Sequence, residues 1–286
     1  MRVAMMTGAL TKYMDQENAI KTIKTLGYDA VDITFKMSIN DNDEMLEGDY
    51  INHAKKIRLV ADELKIPIIQ AHSPYPIHID GDDDYNKRMI EKTIKILEIC
   101  SVLGIKYCVI HPWNNWNAEK NKNNFYDKLI PYAQKYNVII TTENMWNWDT
   151  TNDRADYAAC STPEDFLKHC ETMNSEFFKG CVDIGHANMF YYDSKITPRK
   201  MIETLGNKYC ATLHIHDNDG KHDNHAPMRD GTVNWLDVIK ALKNIHYQGD
   251  LISEFSTYRC NNLEEVLTAC ASDLNNLRQL RNKILE

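Results

Sequence analysis

Six apolar runs in this chain end on residues that titrate or ligate. They read QAHSPYP with His72, VIHPW with His111, TTENMW with Glu143, VDIGH with Asp183 and His186, LHIHDND with His214, and ISEFS with Glu254. His, Asp and Glu recur at these ends, and neutral imidazole with carboxylate is the donor set of a borderline divalent metal such as Zn²⁺, Mn²⁺ or Co²⁺. Further on, Asp223 and His225 form a DxH pair.

Each residue also has a plainer reading. A lone His at the end of a strand is more often a hydrogen-bonded structural residue, by about four to one. Asp183 and His186 alone fit a helix cap or a loop salt bridge. A lone Glu closing an apolar run, as Glu143 and Glu254 both do, is harder to dismiss, because burying its charge costs several kcal/mol without a partner. Seven such groups converging without Lys or Arg would need a cation to compensate them. His214 and His216 lie on one strand face, since side chains alternate with period two, so the ligand is either of them.

The elements that must bring these residues together alternate short apolar runs with longer segments of helical period, the pattern of parallel strands joined by crossover helices. The strand candidates are 2–6, 30–34, 66–71, 107–111, 138–143, 180–183, 211–216 and 250–255. Between Ile90 and Leu103 an amphipathic stripe is stopped by Gly104, the residue favoured just past a helix end. Before Pro163, Ser161 and Thr162 are cap candidates. Eight βα units in 286 residues give about 36 residues each, the size of a single (β/α)8 TIM barrel, an α/β fold spanning 1–286 as one domain. Its chemistry would sit at the carboxyl ends of the strands.

Composition narrows the function. The net charge is −8, so nucleic acid is a disfavoured partner. The acidic stretches Asn40 to Glu47 and Asp80 to Asp84 read as solvated loops fringing the active face. Asp217 to Gly220, DNDG, reads first as a turn. Trp113, Trp116, Trp146 and Trp148 follow the fourth and fifth strands, where they would wall a pocket against a sugar's C–H face or a stacked base. The eight cysteines form no CxxC pair and read as reduced structural thiols. With no apolar stretch long enough to span a bilayer and no signal-like leader, a cytoplasmic protein without membrane partners is expected.

Across nearly the whole chain these residues resemble the xylose isomerase-like barrels, which include sugar isomerases, sugar epimerases and the endonuclease IV apurinic-site nucleases. GCVDIGHANM looks like the sixth-strand signature of both branches, and HIHDNDGKHDNHAPMRDG resembles the seventh-strand block of the sugar phosphate isomerase/epimerase proteins. The resemblance implies one divalent metal held by Glu143, Asp183, His214 and Glu254. The nuclease branch uses three zinc ions, and its additional ligand positions match His72, His111, His186, Asp223 and His225. The chain departs from the ketohexose 3-epimerases, which place Pro-Leu-Asn-Arg after the fifth-strand Glu and an Arg six residues after the seventh-strand His; here stand Asn144, Met145, Trp146, Asn147 and Gly220.

What the resemblance implies is metal-dependent isomerisation or epimerisation of a sugar or polyol-like substrate through an enediolate. Glu143 and Glu254 would exchange protons as base and acid, and His186, Trp113 and His72 would contact the substrate. The alternative is zinc-dependent hydrolysis of abasic DNA. The expected partner is a small sugar, and homo-oligomerisation is left open.

Overall fold

Eight short strands close on themselves in the computed structural model, which describes residues 1–36, 43–257 and 259–286. They are β1 (Val3–Met6), β2 (Ala30–Thr34), β3 (Ile68–His72), β4 (Tyr107–Val109), β5 (Ile139–Glu143), β8 (Phe178–Asp183), β9 (Cys210–Ile215) and β10 (Leu251–Ser253). All pair in parallel, and β1 bonds to both β2 and β10, so the barrel has no open edge. Every strand lies within two residues of its expected position. The fourth stops at Val109, leaving His111 just beyond it. Not anticipated are β6 (Asn147–Asp149) and β7 (Arg154–Asp156), which form an antiparallel hairpin between the fifth and sixth barrel strands, and two short extra helices over 118–121 and 184–188.

The outer helices are α1 (Gln16–Leu26), α2 (Tyr50–Glu63), α3 (Asp83–Leu103), α4 (Ala118–Asn121), α5 (Asp127–Tyr136), α6 (Pro163–Met173), α7 (Ile184–Asn188), α8 (Pro198–Tyr209), α9 (Trp235–Asn244) and α10 (Leu263–Leu285). Their starts follow from sequence. Thr162 caps α6 by accepting from the Asp165 N–H at 3.1 Å, with Pro163 in the first turn where no N–H is needed. Gly104 ends α3 at φ 72°, in the left-handed region. Helices and strands bury a large apolar core, as a parallel sheet covered by helices must, and Ala4, Met6, Ala30, Ile69 and Ile252 on the strands form a second, smaller cluster.

Two loop expectations need correction. In the stretch Asn40 to Glu47, residues 40–42 lie outside the described residues, and Asp43 is buried rather than solvated. Its carboxylate accepts from the main-chain N–H of Lys36 at 2.8 Å and of Met45 at 2.9 Å. Asp80 to Asp84 is exposed as expected, with Asp82 capping α3. The DNDG stretch does not act as a simple turn. Asp217 is fully buried and accepts from the main-chain N–H of Asn218, Arg229 and Val233 and from the Trp235 indole at 2.9–3.0 Å. That carboxylate organises the whole segment between β9 and α9.

The eight cysteines form no disulfide, and seven are buried, as expected of structural thiols. Among the described residues no helix is long and apolar enough to cross a membrane.

Asp273 ties α10 to the site's scaffold. It accepts from the Ser253 hydroxyl at 2.6 Å and the Met228 N–H at 2.7 Å, and is 1% exposed. Asp273→Ala leaves both donors buried and unpaired, so the unfolding free energy should fall by at least about 1–3 kcal/mol. Urea denaturation with an unchanged m-value checks this.

Candidate metal centre

Strand register delivers the central residues to one level. Glu143 is the last residue of β5, Asp183 the last of β8, and Glu254 follows β10. Asp183 pairs with His214 on β9, and His214 pairs with Ile252 on β10, two residues before Glu254. The ligand atoms of Glu143, Asp183, His214 and Glu254 all lie within 4.8 Å of one another. His214 Nδ1 is 3.1 Å from Glu143 Oε2 and 3.0 Å from Glu254 Oε2. Of the two histidines that sequence left open, His214 therefore joins this group.

His216 takes a different place, with Nε2 3.1 Å from Asp183 Oδ1 and its ring stacked on His225 at 4.0 Å. Its ring packs against Gly185. A Cβ there would collide with the imidazole, so the DIGH glycine makes room for it.

The remaining imidazoles surround the four. His72 and His111 group with Glu143, and His186, His216, Asp223 and His225 form a neighbouring set. Three of these rings share one arrangement. His72 donates Nδ1–H to the Ser73 carbonyl at 2.9 Å, His186 to Asn144 at 2.9 Å, and His225 to Glu254 at 3.0 Å. Each therefore presents Nε2, not Nδ1, to the centre, the orientation that ligating histidines take from a main-chain acceptor; without a cation the Nε2 of His225 and of His186 face Asp223 Oδ2 at 3.1 and 3.5 Å. Both carboxylate oxygens of Glu143, Asp183 Oδ2, Glu254 Oε2, His214 Nδ1 and Asp223 Oδ1 are buried without a hydrogen-bond partner. Such orphaned acceptors, in a set of imidazoles and carboxylates, fit a divalent cation.

Electrostatics divides these groups. Burial raises a carboxyl's pKa, but at Glu143 it is outweighed by His214 and His111, which hold the group well below its ordinary range. Asp183 and Asp223 are also lowered, burial yielding to His186 and His216 in one case and to His225 and His186 in the other. At Glu254 burial prevails and the pKa is raised. Burial disfavours charge on His225, yet Asp223 beside it pushes it up to about 10, and Asp183 and Asp223 hold His186 well above its usual value. His72 is well lowered by burial and by His111 and His214.

Above the centre opens a cavity of about 580 Å³ reached by Glu143, Glu254, His72, His111, His186, Asp223 and His225. Met6, Met145, Trp146, Trp148 and Phe255 form its apolar wall, and Lys12 is the one lysine or arginine lining it among the described residues. Trp148 comes from the hairpin and stacks on His222 at 5.7 Å. Trp113, an expected substrate contact, does not line the cavity. It faces His78 at 5.4 Å, because its main-chain N–H is drawn to Asn121 Oδ1 at 2.8 Å. His72 and His186 do line it.

Sequence reasoning passed over three residues beneath or beside the site. Asn144 stitches β5 to β8, donating to the Asp183 carbonyl at 2.9 Å and accepting its N–H at 2.8 Å. Its position directly after Glu143 was the available signal. Asp32 and Gln70 lie fully buried at the barrel floor; burial pushes Asp32 up to about 7, against His214 and Gln70. Polar residues inside the apolar runs AVDIT and IIQAH were the hint.

Fold and site together define a closed (β/α)8 barrel carrying a buried carboxylate and imidazole centre at the carboxyl ends of its strands. The chain belongs to the xylose isomerase-like TIM barrel family, whose model matches residues 20–278. It is 26% identical over 230 residues to MJ1311 of Methanocaldococcus jannaschii, an uncharacterized protein, covering 74% of this chain and 73% of that one. It is 24% identical over 181 residues to a probable endonuclease 4 of Mycoplasmoides gallisepticum, covering 60% of this chain and 58% of that one. Among solved structures, a D-tagatose 3-epimerase-like protein superposes with TM-score 0.74 at 22% identity over 100% of both chains. The 3-keto-D-glucoside 4-epimerase YcjR of E. coli superposes with TM-score 0.73 at 16% identity, covering 98% of this chain and 99% of that one.

Without a cation, protonated imidazoles balance these carboxylates. A cation must displace those protons, so its affinity should rise with pH as His186 and His225, both raised, lose them. Calorimetric titration with Zn²⁺ in buffers of different ionisation enthalpy should register proton release, and binding should weaken from about pH 8 to about pH 6. Heats independent of buffer would contradict this charge balance.

Proposed function

We propose that the protein is a divalent-cation-dependent isomerase or epimerase of a small sugar or polyol-like substrate, acting by proton transfer next to a carbonyl through an enediolate. The observation that carries this reading is the pair Glu143 and Glu254. Both reach the cavity, both flank His214 Nδ1 at 3.1 and 3.0 Å, and their environments drive their pKa values apart, one down and one up. Two carboxyls so divided suit a base and an acid.

Glu143, Asp183, His214 and Glu254 would hold the cation. Bound there, a Zn²⁺, Mn²⁺ or Co²⁺ ion polarises a substrate carbonyl and stabilises negative charge on its oxygen. The residues do the rest. Glu143, ionised, takes the proton from the carbon beside the carbonyl, and Glu254, which retains a proton more readily, returns one from its own side. His186 is fixed by Asn144 through Nδ1, its Nε2 faces Asp223 Oδ2 at 3.5 Å, and from that nitrogen it donates to a substrate oxygen. Trp146 and Trp148 cover the apolar face of the substrate and limit water.

A second reading, a zinc-dependent apurinic-site endonuclease, is favoured by one observation: the additional ligand positions His72, His111, His186, Asp223 and His225 assemble around the same centre. The lining works against it, with one lysine for a polyanion and a net charge of −8. Cleavage of an abasic oligonucleotide that disappears in Glu143→Ala would reverse the ranking.

With Mn²⁺ or Co²⁺, the wild type should exchange solvent deuterium into the carbon beside the carbonyl of at least one member of a panel of ketoses, aldoses and their phosphates. Glu143→Gln and Glu254→Gln should each slow that exchange about 10²- to 10⁴-fold. A panel with no exchange at all sinks the proposal.

A further inference from the structure

Among the described residues the cavity above the centre is lined by a single ammonium, that of Lys12. Its Nζ donates to Thr257 Oγ1 at 2.8 Å, a bond between positions 245 apart in the chain. Lys12 follows β1 and Thr257 follows β10, and these strands are neighbours in the ring. The bond therefore bridges two adjacent loops and fixes the ammonium at the rim. Among the described residues Lys12 makes no ion pair. The acids of the same lining are engaged elsewhere: Glu143 and Glu254 face His214 at 3.1 and 3.0 Å, and Asp223 faces His225 at 3.1 Å. In a chain of net charge −8, a lysine at the mouth of an acidic cavity that meets only a neutral hydroxyl is the exception.

A substrate that fills this mouth takes water away from Lys12. A neutral group set against it strips hydration from the ammonium and returns no countercharge, which costs free energy. A carboxylate returns both charge and strong hydrogen bonds. One ammonium, with the hydroxyls of Ser256 and Thr257 on the adjoining loop, balances one negative charge; a phosphate group carries nearly two, and the lining has no second lysine or arginine among the described residues.

We propose that the substrate of this site is an acidic sugar, a ketose or aldose with a carboxylate at one end of its chain, and that Lys12 is the residue that selects it. This deepens the isomerase or epimerase reading and rests on it. The fold also sets the direction of the substrate. Thr257 is three residues beyond Glu254, so their Cα atoms are at most about 11 Å apart, and the carboxylate lies on the Glu254 side. Four places round the ring from β1 and β10 stand β5 and β4, whose following loops bring Trp146, Trp148 and Asn114 to the cavity. The other end of the sugar runs toward these.

Two pairs of compounds, each pair differing only in carboxylate against hydroxymethyl, test this on the Mn²⁺-loaded protein. One pair is a ketohexuronate and the matching ketohexose, followed by solvent deuterium exchange. The other is an aldonate and the matching alditol, which have no carbonyl and cannot react, followed by calorimetric binding. The wild type should favour the acid of each pair by about 10- to 100-fold, the size of a hydrogen bond to a charged group, and in the reacting pair the difference should lie in KM rather than kcat. Lys12→Met should lower both acid-to-neutral ratios by about the same factor, and Lys12→Arg should keep them. Lys12 is exposed, so neither substitution touches the core. A wild type that exchanges deuterium into neither sugar, nor into any ketose phosphate, overturns the function proposed for the site and this inference together. Exchange that favours the neutral ketose or a ketose phosphate, or an acid preference unmoved by Lys12→Met, overturns this inference alone.

Discussion

Carboxylates held in a low-dielectric interior with no lysine or arginine beside them are the constraint to which this structure answers. Glu143, Asp183 and Asp32 are fully buried and Glu254 nearly so, and no basic residue other than histidine is buried among the described residues. Several kcal/mol of desolvation attach to each uncompensated charge, so the barrel is stable only because imidazoles at every side neutralise them. Histidine is the one side chain able to provide that balance and then surrender it, since it is a cation when protonated and a metal ligand when not.

The polar scaffold around the centre follows the same logic. Asn144 saturates the main chain of Asp183 on both sides, and Asp217 gathers four N–H groups of the long segment after β9. Asp273 reaches in from α10 to hold Ser253, the residue before Glu254. Each is a buried polar side chain with its hydrogen bonds satisfied, and each sets the backbone from which a functional side chain projects. The apolar core supplies the bulk of stability, while these anchors supply position.

Much of this was legible in the chain. Eight strands emerged because parallel barrel strands are buried on both faces and read as unbroken apolar runs. The ligands emerged because imidazoles and carboxylates closed those runs. What stayed hidden depends on geometry that linear order does not carry. Nothing in LHIHDND separates His214 from His216, whose rings point to different partners. Asp217 looked like a turn residue because its four donors come from positions up to 18 residues away. Trp113 looked like a pocket wall because a loop tryptophan's direction is set by partners such as Asn121 and His78. Asp32 and Gln70 drew no notice because one polar residue per strand is common in any sheet.

The close approach of Gly185 to the imidazole of His216 couples two positions thirty-one apart in the chain. A methyl group at the first and a ring at the second cannot occupy the same space, so any side chain at Gly185 would drive the His216 imidazole away from Asp183 and out of its stack with His225.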